Sequence, residues 1–325
     1  SKYLRDRFCE RVTVVDSKVK SVRVTSRGIS GVLVDRGPYD IKPKEITGDL
    51  YIDCSGIAAV ALGPLSPFTP YHNLINDRAL VCKTEYTDKD KEMVPYTNAK
   101  GMSSGWQWTI PTLDYISRGY VYSSKHQCEP EAREEFGYED AKLIEFQSGR
   151  RIHAWIHNCV GIGLSYGFIE PLESTSLFNT GHGILALVKI LNEGKLGRFA
   201  RERFNKDISD HMDGWKEFVE AHYYYSQRRD TPYWSELTED IHYSGGAHDV
   251  VSDIMVHTHE VDHGKDPILF ILAGHGHTCV DTRKDEFFNE RPIVPNVSRW
   301  WERRGKISKS EFPTMFSYLA QRFSI

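Results

Sequence analysis

Residues 158–194 contain, in order, a strand-like segment, a loop of small residues and a helix-like segment. The apolar stretch NCVGIGL predicts a buried strand, and the glycine- and proline-marked stretch SYGFIEPLES predicts a loop. The stretch TSLFNTGHGILALVKILNEG predicts a helix that is capped near Ser174 or Thr175 and ends before Gly194. This order presents the backbone N–H groups of a helix start to an anionic or electron-rich ligand.

A second candidate ligand-binding strand end lies at LYIDCSG, which contains Asp53, Ser55 and Gly56. It follows three strand-like, glycine-punctuated segments: VTVVDSKVKSVRVT, ISGVLVDRG and YDIKPKEI. An apolar strand that ends in Ser-Gly suits a parallel sheet edge, where a ligand can approach the backbone. The alternative is that Gly56 only makes a turn.

Two tryptophans stand two residues apart in SGWQWTIP, which ends at Pro111. The surrounding pattern predicts a hairpin with one strand through 106–110, a turn at 112–119 and a return through 120–123. Side chains alternate faces along a strand, so Trp106 and Trp108 should point the same way. They form either a functional pair or simply part of a buried core face.

Beyond this region the pattern becomes mostly helical. Residues from about 195 are polar and aromatic at helical spacing, and Pro232 should end that helix. Glu173 stands immediately before the helix near 175, where the helix dipole favours an acid, so it is either a functional carboxylate or a plain helix-start acid.

Composition excludes several classes of function. The formal net charge is −4, and we find neither a basic run that would track phosphates nor an apolar run of membrane-spanning length. The six cysteines are scattered without a CxxC pair, which predicts free thiols in a reducing compartment. We therefore expect a cytoplasmic protein that binds neither nucleic acid nor membrane.

Six motifs occur together in an order and spacing that resemble the flavin-dependent tryptophan halogenase family: IDCSG, GWQWTIP, GYVYSS, NCVGIGL, GFIEPLESTS and AHYYYSQRRDTPYW. The resemblance extends to about residue 235. It implies an α/β fold in which a doubly wound FAD domain is interleaved with a sheet-plus-helix substrate domain. On this basis residues 1–62 and 151–194 would belong to the FAD-binding domain. Residues 63–150 would form the substrate-domain sheet, and 195–325 a mostly helical substrate domain.

The resemblance also implies a role for individual residues. Trp106 and Trp108, with Pro111, would fill the space beside the flavin, so that a halide ion reaches it and a bulky organic substrate does not. Glu173 would accept the proton from the halogenated ring, and Ser174 would orient the neighbouring groups. The backbone at Thr175 and Ser176 would bind halide, although the family usually has glycine at position 176. The expected cofactor contacts are Asp53, Ser55, Gly56, Gly163, Pro171 and Leu172.

The implied reaction uses FAD, supplied as FADH2 by a separate flavin reductase, together with dioxygen and a halide ion (chloride, bromide or iodide). These would yield hypohalous acid, which would halogenate a small, electron-rich aromatic substrate. Whether the protein forms a homo-oligomer is left open.

Two family features have no match in this sequence: the GxGxxG phosphate cradle and the catalytic lysine. The first residues, SKYLRDRFCERV, resemble the last turns of an amphipathic helix. We therefore expect that a region of about 150–200 residues, the size of one domain, precedes this sequence in the full protein.

Three alternatives to the halogenase remain at this stage. A flavin monooxygenase or reductase of the same fold could share these segments. The stretch HTHEVDH offers His257, His259, Asp262 and His263 as ligands for a zinc-type metal site. The chain could also be a non-catalytic remnant that only binds partners or substrate.

Overall fold

A computed structural model describes residues 7, 12–35, 44–194 and 196–240, with only the backbone for Glu173 and Asp240. Its internal contacts divide the chain into two compact units. The first unit comprises Ser1–Thr69, Gly149–Phe168 and Ser174–Met212, and the second comprises Pro70–Ser148, Ile169–Glu173 and Asp213–Ile325. Fold class is as predicted, because strands and helices are mixed along the chain. The assignment of a flavin or substrate role to residues 1–62, 63–150, 151–194 and 195–325 stays a prediction.

The first unit contains an antiparallel sheet of order β1-β2-β3. Its strands are β1 (Val19–Thr25), β2 (Gly28–Val34) and β3 (Lys44–Ile46). Gly28 begins β2 at φ +111°, and a side chain there would collide with Asn158, 2.2 Å from its Oδ1. That close approach lets the Asn158 amide bond to both the N–H and the C=O of Ile29, each at 2.8 Å.

A second sheet of the first unit has the order β12-β13-β4. Its strands are β4 (Tyr51–Asp53), β12 (Trp155–Ile156) and β13 (Cys159–Gly161). β13 runs parallel to β4, with Gly161 opposite Asp53. The two predicted ligand-binding strands are therefore direct neighbours, and their carboxyl ends lie at the same edge. A third sheet, of order β14-β11-β5, joins β5 (Phe68–Pro70), β11 (Gly149–Arg151) and β14 (Gly167–Phe168).

The second unit is built on a five-stranded antiparallel sheet of order β10-β6-β9-β8-β7. Its strands are β6 (Arg78–Thr84), β7 (Asn98–Gly101), β8 (Gly105–Pro111), β9 (Ile116–Tyr122) and β10 (Lys142–Glu145). The predicted hairpin is present as β8 and β9, but the predicted turn at 112–119 was too long. Strand β9 already begins at Ile116, since Thr112 N–H and Tyr115 C=O close a four-residue turn at 2.9 Å.

Five α-helices lie among the described residues of 44–240: α1 (Lys89–Glu92), α2 (Glu129–Phe136), α3 (Ser176–Glu193), α4 (Arg198–Tyr224) and α5 (Pro232–Ser235). Helix α3 ends as predicted, with Gly194 at φ 68°, a conformation that glycine adopts without a steric penalty. The predicted end of the next helix at Pro232 was wrong. Helix α4 stops at Tyr224, and Pro232 instead opens α5 behind the Thr231 cap, because proline is well tolerated at a first helical position.

Within the described residues, no helix is long and apolar enough to cross a membrane. Two predictions fall outside those residues. Most of the amphipathic segment 1–12 lies there, and so does the candidate metal cluster of His257, His259, Asp262 and His263.

Candidate functional site

The carboxyl end of the parallel pair brings together Asp53, Ser55 and Gly163. The N–H of Ile162 donates to the backbone oxygen of Asp53 at 2.9 Å, so the loops that follow the two strands lie side by side. Ligands of open α/β sheets bind in the crevice outside such strand ends. This edge is therefore the part of the first unit best suited to contact a cofactor.

The Asp53 carboxylate is occupied by its own loop. One oxygen accepts from the N–H and the hydroxyl of Ser55, and the other accepts from the N–H groups of Ala61 and Leu62, at 2.6–2.9 Å. Burial of Asp53 opposes ionisation, but the four hydrogen bonds outweigh it and lower the pKa of this carboxyl. Asp53 thus shapes the loop that displays Ser55 and Gly56.

Gly56 and Gly163 both have positive φ, 71° and 68°. A side chain at Gly56 would meet nothing within 4 Å, so its need for glycine is conformational. At Gly163 a side chain would come within 2.9 Å of the Thr180 hydroxyl on α3, so close packing is a second reason for glycine there. The start of α3 is therefore packed directly over the loop that follows β13.

The segment that leads into α3 is a tight 3-10 turn, Pro171–Glu173, followed by Ser174 and the helix N-cap Thr175. Ser174 has φ 55°, an uncommon left-handed conformation for a residue other than glycine. Such strain is found preferentially at functional positions. The turn fixes where the Glu173 backbone lies, one residue before this strained position.

Thr175 is the predicted cap of α3, yet its hydroxyl makes no capping bond to the helix backbone. Its Oγ1 is buried and has no hydrogen-bond partner in the part of the chain that the structure describes. The first turn of a helix also carries N–H groups without intrahelical acceptors, Ser176 among them. A buried hydroxyl beside these donors fits a small anion or a polar atom of a cofactor.

Trp106 and Trp108 lie on one face of β8, as the strand period predicts, with ring centroids 5.8 Å apart. Trp106 is 5% exposed, whereas Trp108 is half-buried. The Trp106 Nε1 has no hydrogen-bond partner among the described residues, which is unusual for a buried indole. Pro111 is the last residue of β8. The two rings therefore form a continuous aromatic surface in the second unit.

Sequence reasoning missed Glu170, although it stands in the same EPLES stretch. Its side chain is fully buried and accepts hydrogen bonds from the Tyr223 hydroxyl and, at 2.7 Å, from Asn76 Nδ2. Burial raises its pKa to about 7, against the effect of these two bonds. The only sequence signal was an acid within an apolar run before proline, which does not reveal partners 94 and 53 residues away.

Comparison with known proteins decides the family. The family model described as tryptophan halogenase matches residues 1–290. This chain belongs to the tryptophan halogenase family. Among curated members, the tryptophan 7-halogenase RebH of Lentzea aerocolonigenes is 37% identical over 197 residues, which are 57% of this chain and 37% of RebH. The tryptophan 6-halogenase SttH of Streptomyces toxytricini is 36% identical over 248 residues, 73% of this chain and 46% of SttH.

Two solved structures agree with the fold. The chain matches the apo structure of VirX1 at TM-score 0.82 and 29% identity, over 99% of this chain and 67% of VirX1. It matches SttH from Streptomyces toxytricini at TM-score 0.71 and 32% identity, over 80% of this chain and 56% of SttH. The chain thus spans less than half the length of the curated tryptophan halogenases named above.

Proposed function

We propose that this chain forms part of an FAD-dependent halogenase that halogenates an electron-rich aromatic substrate. One observation carries the proposal: in a member of the tryptophan halogenase family, the paired tryptophans and the strained turn before α3 occur in the same chain. When bound, FAD in its reduced form supplies the electrons with which dioxygen converts halide into hypohalous acid.

In the first unit, the carboxyl end of β4 and β13 fits the role of a cofactor edge. Ser55, Gly56 and Gly163 would lie against the flavin, with Asp53 holding their loop in shape. Pro171 and Leu172, which form the turn before α3, would contact the same cofactor. The parallel register of the two strands and the packing of α3 over Gly163 support the assignment of Ser55, Gly56 and Gly163.

The start of α3 would bind the halide. Thr175 offers a buried hydroxyl, and the backbone at Thr175 and Ser176 offers N–H groups at the positive end of the helix dipole. Ser176 carries a side chain where the family usually has glycine. Backbone donors are unaffected by that difference, so we expect it to alter halide preference rather than abolish binding.

Trp106, Trp108 and Pro111 would exclude organic molecules from the flavin while small ions pass. Glu173 would act as the general base that removes the ring proton after halogen transfer, and Ser174 would orient it. The names of RebH and SttH, tryptophan 7-halogenase and tryptophan 6-halogenase, give tryptophan as their substrate. For this chain we propose an aromatic ring of similar electron density, with a separate flavin reductase as partner.

The test uses the full-length protein with FADH2 supplied by a flavin reductase, dioxygen and one halide at a time. Aromatic products are followed by mass spectrometry, and free hypohalite is followed with a small-molecule trap. A halogenated product that requires halide supports the proposal. A hydroxylated product that forms equally well without halide would replace it with a flavin monooxygenase.

A further inference from the structure

The buried Glu170 side chain is tied to two distant parts of the second unit. Its two oxygens accept from Tyr223 on α4 and from Asn76, which precedes β6. Asn76 Nδ2 also donates to the Tyr223 hydroxyl at 2.9 Å, so the three side chains form a closed ring of hydrogen bonds. Such a ring fixes Glu170 from two directions, because each partner is itself held by the other.

The backbone at Glu170 is fixed as well. Its N–H donates to the Ser148 hydroxyl at 3.1 Å, and Ile169 before it is 1% exposed. Pro171 follows directly, and its ring restricts φ to near −65°. Glu173 is therefore separated from an immobilised residue by one proline and one leucine.

We propose that Glu170 is a positioning residue, which through Asn76 and Tyr223 holds the turn Pro171–Glu173 in the place where Glu173 serves the reaction. The inference concerns the same site as the proposed function and rests on it for its catalytic consequence. Its structural consequence, a firmly held turn, does not depend on the identity of the substrate.

The ring should respond to pH, because the ionised and neutral forms of Glu170 bond differently. A carboxylate accepts from both Tyr223 and Asn76, whereas a carboxylic acid can donate its O–H to the Tyr223 oxygen and still accept from Asn76. Among the described residues, Glu170 also interacts electrostatically with His222 on α4, which favours the carboxylate, and with Tyr233 on α5. Since burial raises the pKa of Glu170 to about 7, opening that exposes this carboxyl to water should become easier as pH rises through 7, so the turn should loosen above neutrality.

Two variants separate positioning from general damage. Glu170→Gln keeps the size of the side chain but never carries the charge. Tyr223→Phe keeps the carboxyl group of Glu170 but removes a hydrogen-bond donor that favours its ionised form. This variant should therefore raise the pKa of Glu170 further. Glu135→Gln is the matched control, because Glu135 also accepts from a tyrosine hydroxyl, that of Tyr120 at 3.0 Å, as well as from Gln127 and Ser103.

The first measurement is amide hydrogen exchange of residues 169–175, which needs neither flavin nor substrate. We expect faster exchange in Glu170→Gln and Tyr223→Phe than in the parent or in Glu135→Gln, with other peptides unchanged. In the parent, exchange corrected for its intrinsic pH dependence should rise above pH 7. Exchange equal to the parent in both variants would overturn the inference.

The second measurement is the product and hypohalite assay on the flavin-loaded full-length protein. We expect Glu170→Gln to lose roughly 10–100-fold in product kcat, the range for a misplaced catalytic group, while hypohalite release stays unchanged. The alkaline limb of the product pH profile should disappear in Glu170→Gln and move upward in Tyr223→Phe. If the product pH profile of Glu170→Gln keeps the same limb as the parent, the inference is contradicted. If the parent forms neither hypohalite nor product, the proposed function fails, and the exchange data alone decide whether Glu170 holds the turn.

Discussion

The indole of Trp108 lies on the backbone of Gly119, its antiparallel partner on β9. A methyl group at Gly119 would stand 2.0 Å from two atoms of the indole ring, far inside van der Waals contact. The glycine therefore creates the space that this tryptophan occupies. The orientation of the proposed gatekeeper depends on a residue of the neighbouring strand.

We expect Gly119→Ala to displace the Trp108 ring and to lower the free energy of unfolding by about 1–3 kcal/mol, the usual cost of overpacking. Urea unfolding and near-ultraviolet circular dichroism report the two effects. Gly214→Ala in α4 is the control, since a side chain there meets nothing within 4 Å; it should leave the circular dichroism unchanged and raise the free energy of unfolding by up to about 1 kcal/mol. If Gly119→Ala matches the parent in both urea unfolding and circular dichroism, the Trp108 ring does not pack against Gly119.

If the two tryptophans keep organic molecules away from the flavin, replacing them with alanine should remove that barrier and reduce halogenation. Trp108→Ala removes a half-buried ring and should keep the fold while halogenated product falls. Trp106→Ala removes a buried ring and should in addition cost about 3–5 kcal/mol. Product by mass spectrometry is compared with thermal unfolding, and Trp215→Ala in α4 serves as a half-buried control. If the Trp108→Ala protein keeps full halogenation activity, Trp108 is only part of the packed core.

Glu173→Gln should reduce halogenated product roughly 10²–10⁴-fold, because a positioned general base contributes about that much. Hypohalite release should persist, since halide oxidation precedes the step that needs the base. The two products are measured in parallel. Joint loss of both would assign Glu173 to the cofactor or the fold, and no change in either would make it a plain helix-start acid.

Asp53→Asn should destabilise the protein by about 1–3 kcal/mol at neutral pH, because an amide cannot accept all four hydrogen bonds that the carboxylate accepts. The pKa of Asp53 is lowered from 3.8, so its contribution is full above that value and is lost as pH falls through the folded-state pKa. Urea unfolding from pH 7 towards pH 3 should show the two proteins converging. Asp49→Asn, at an exposed position, is the control, and a constant difference would contradict the assignment.

Glu170 should produce the opposite pH dependence of stability. Its pKa is raised from 4.5 to about 7, so its contribution is full below the unfolded value and is lost as pH rises through about 7. Relative to Glu170→Gln, the free energy of unfolding of the parent should fall by on the order of 3 kcal/mol between pH 5 and 8. Parallel urea titrations measure this difference, and a flat difference would mean that Glu170 is not a buried, titrating carboxyl.

Several elements could be predicted from the sequence because their causes are local. Gly194 ends α3 since glycine adopts left-handed φ readily, and Trp106 and Trp108 share a face because strand side chains alternate. The Ser-Gly end of β4 and the strand before Gly163 were also recognisable from their apolar runs and glycines. Each of these features depends on residues within a few positions of one another.

Tertiary structure alone decided where the polar side chains of the site find their partners. The carboxylate of Asp53 closes on backbone N–H groups eight and nine residues ahead, and Glu170 is buried against Asn76 and Tyr223 across 94 and 53 residues. Helix α4 likewise stops at Tyr224 rather than continuing to Pro232, where the sequence predicted its end. Sequence periodicity records which face of an element is apolar, whereas burial, pKa and hydrogen-bond partners follow from contacts between segments that only folding brings together.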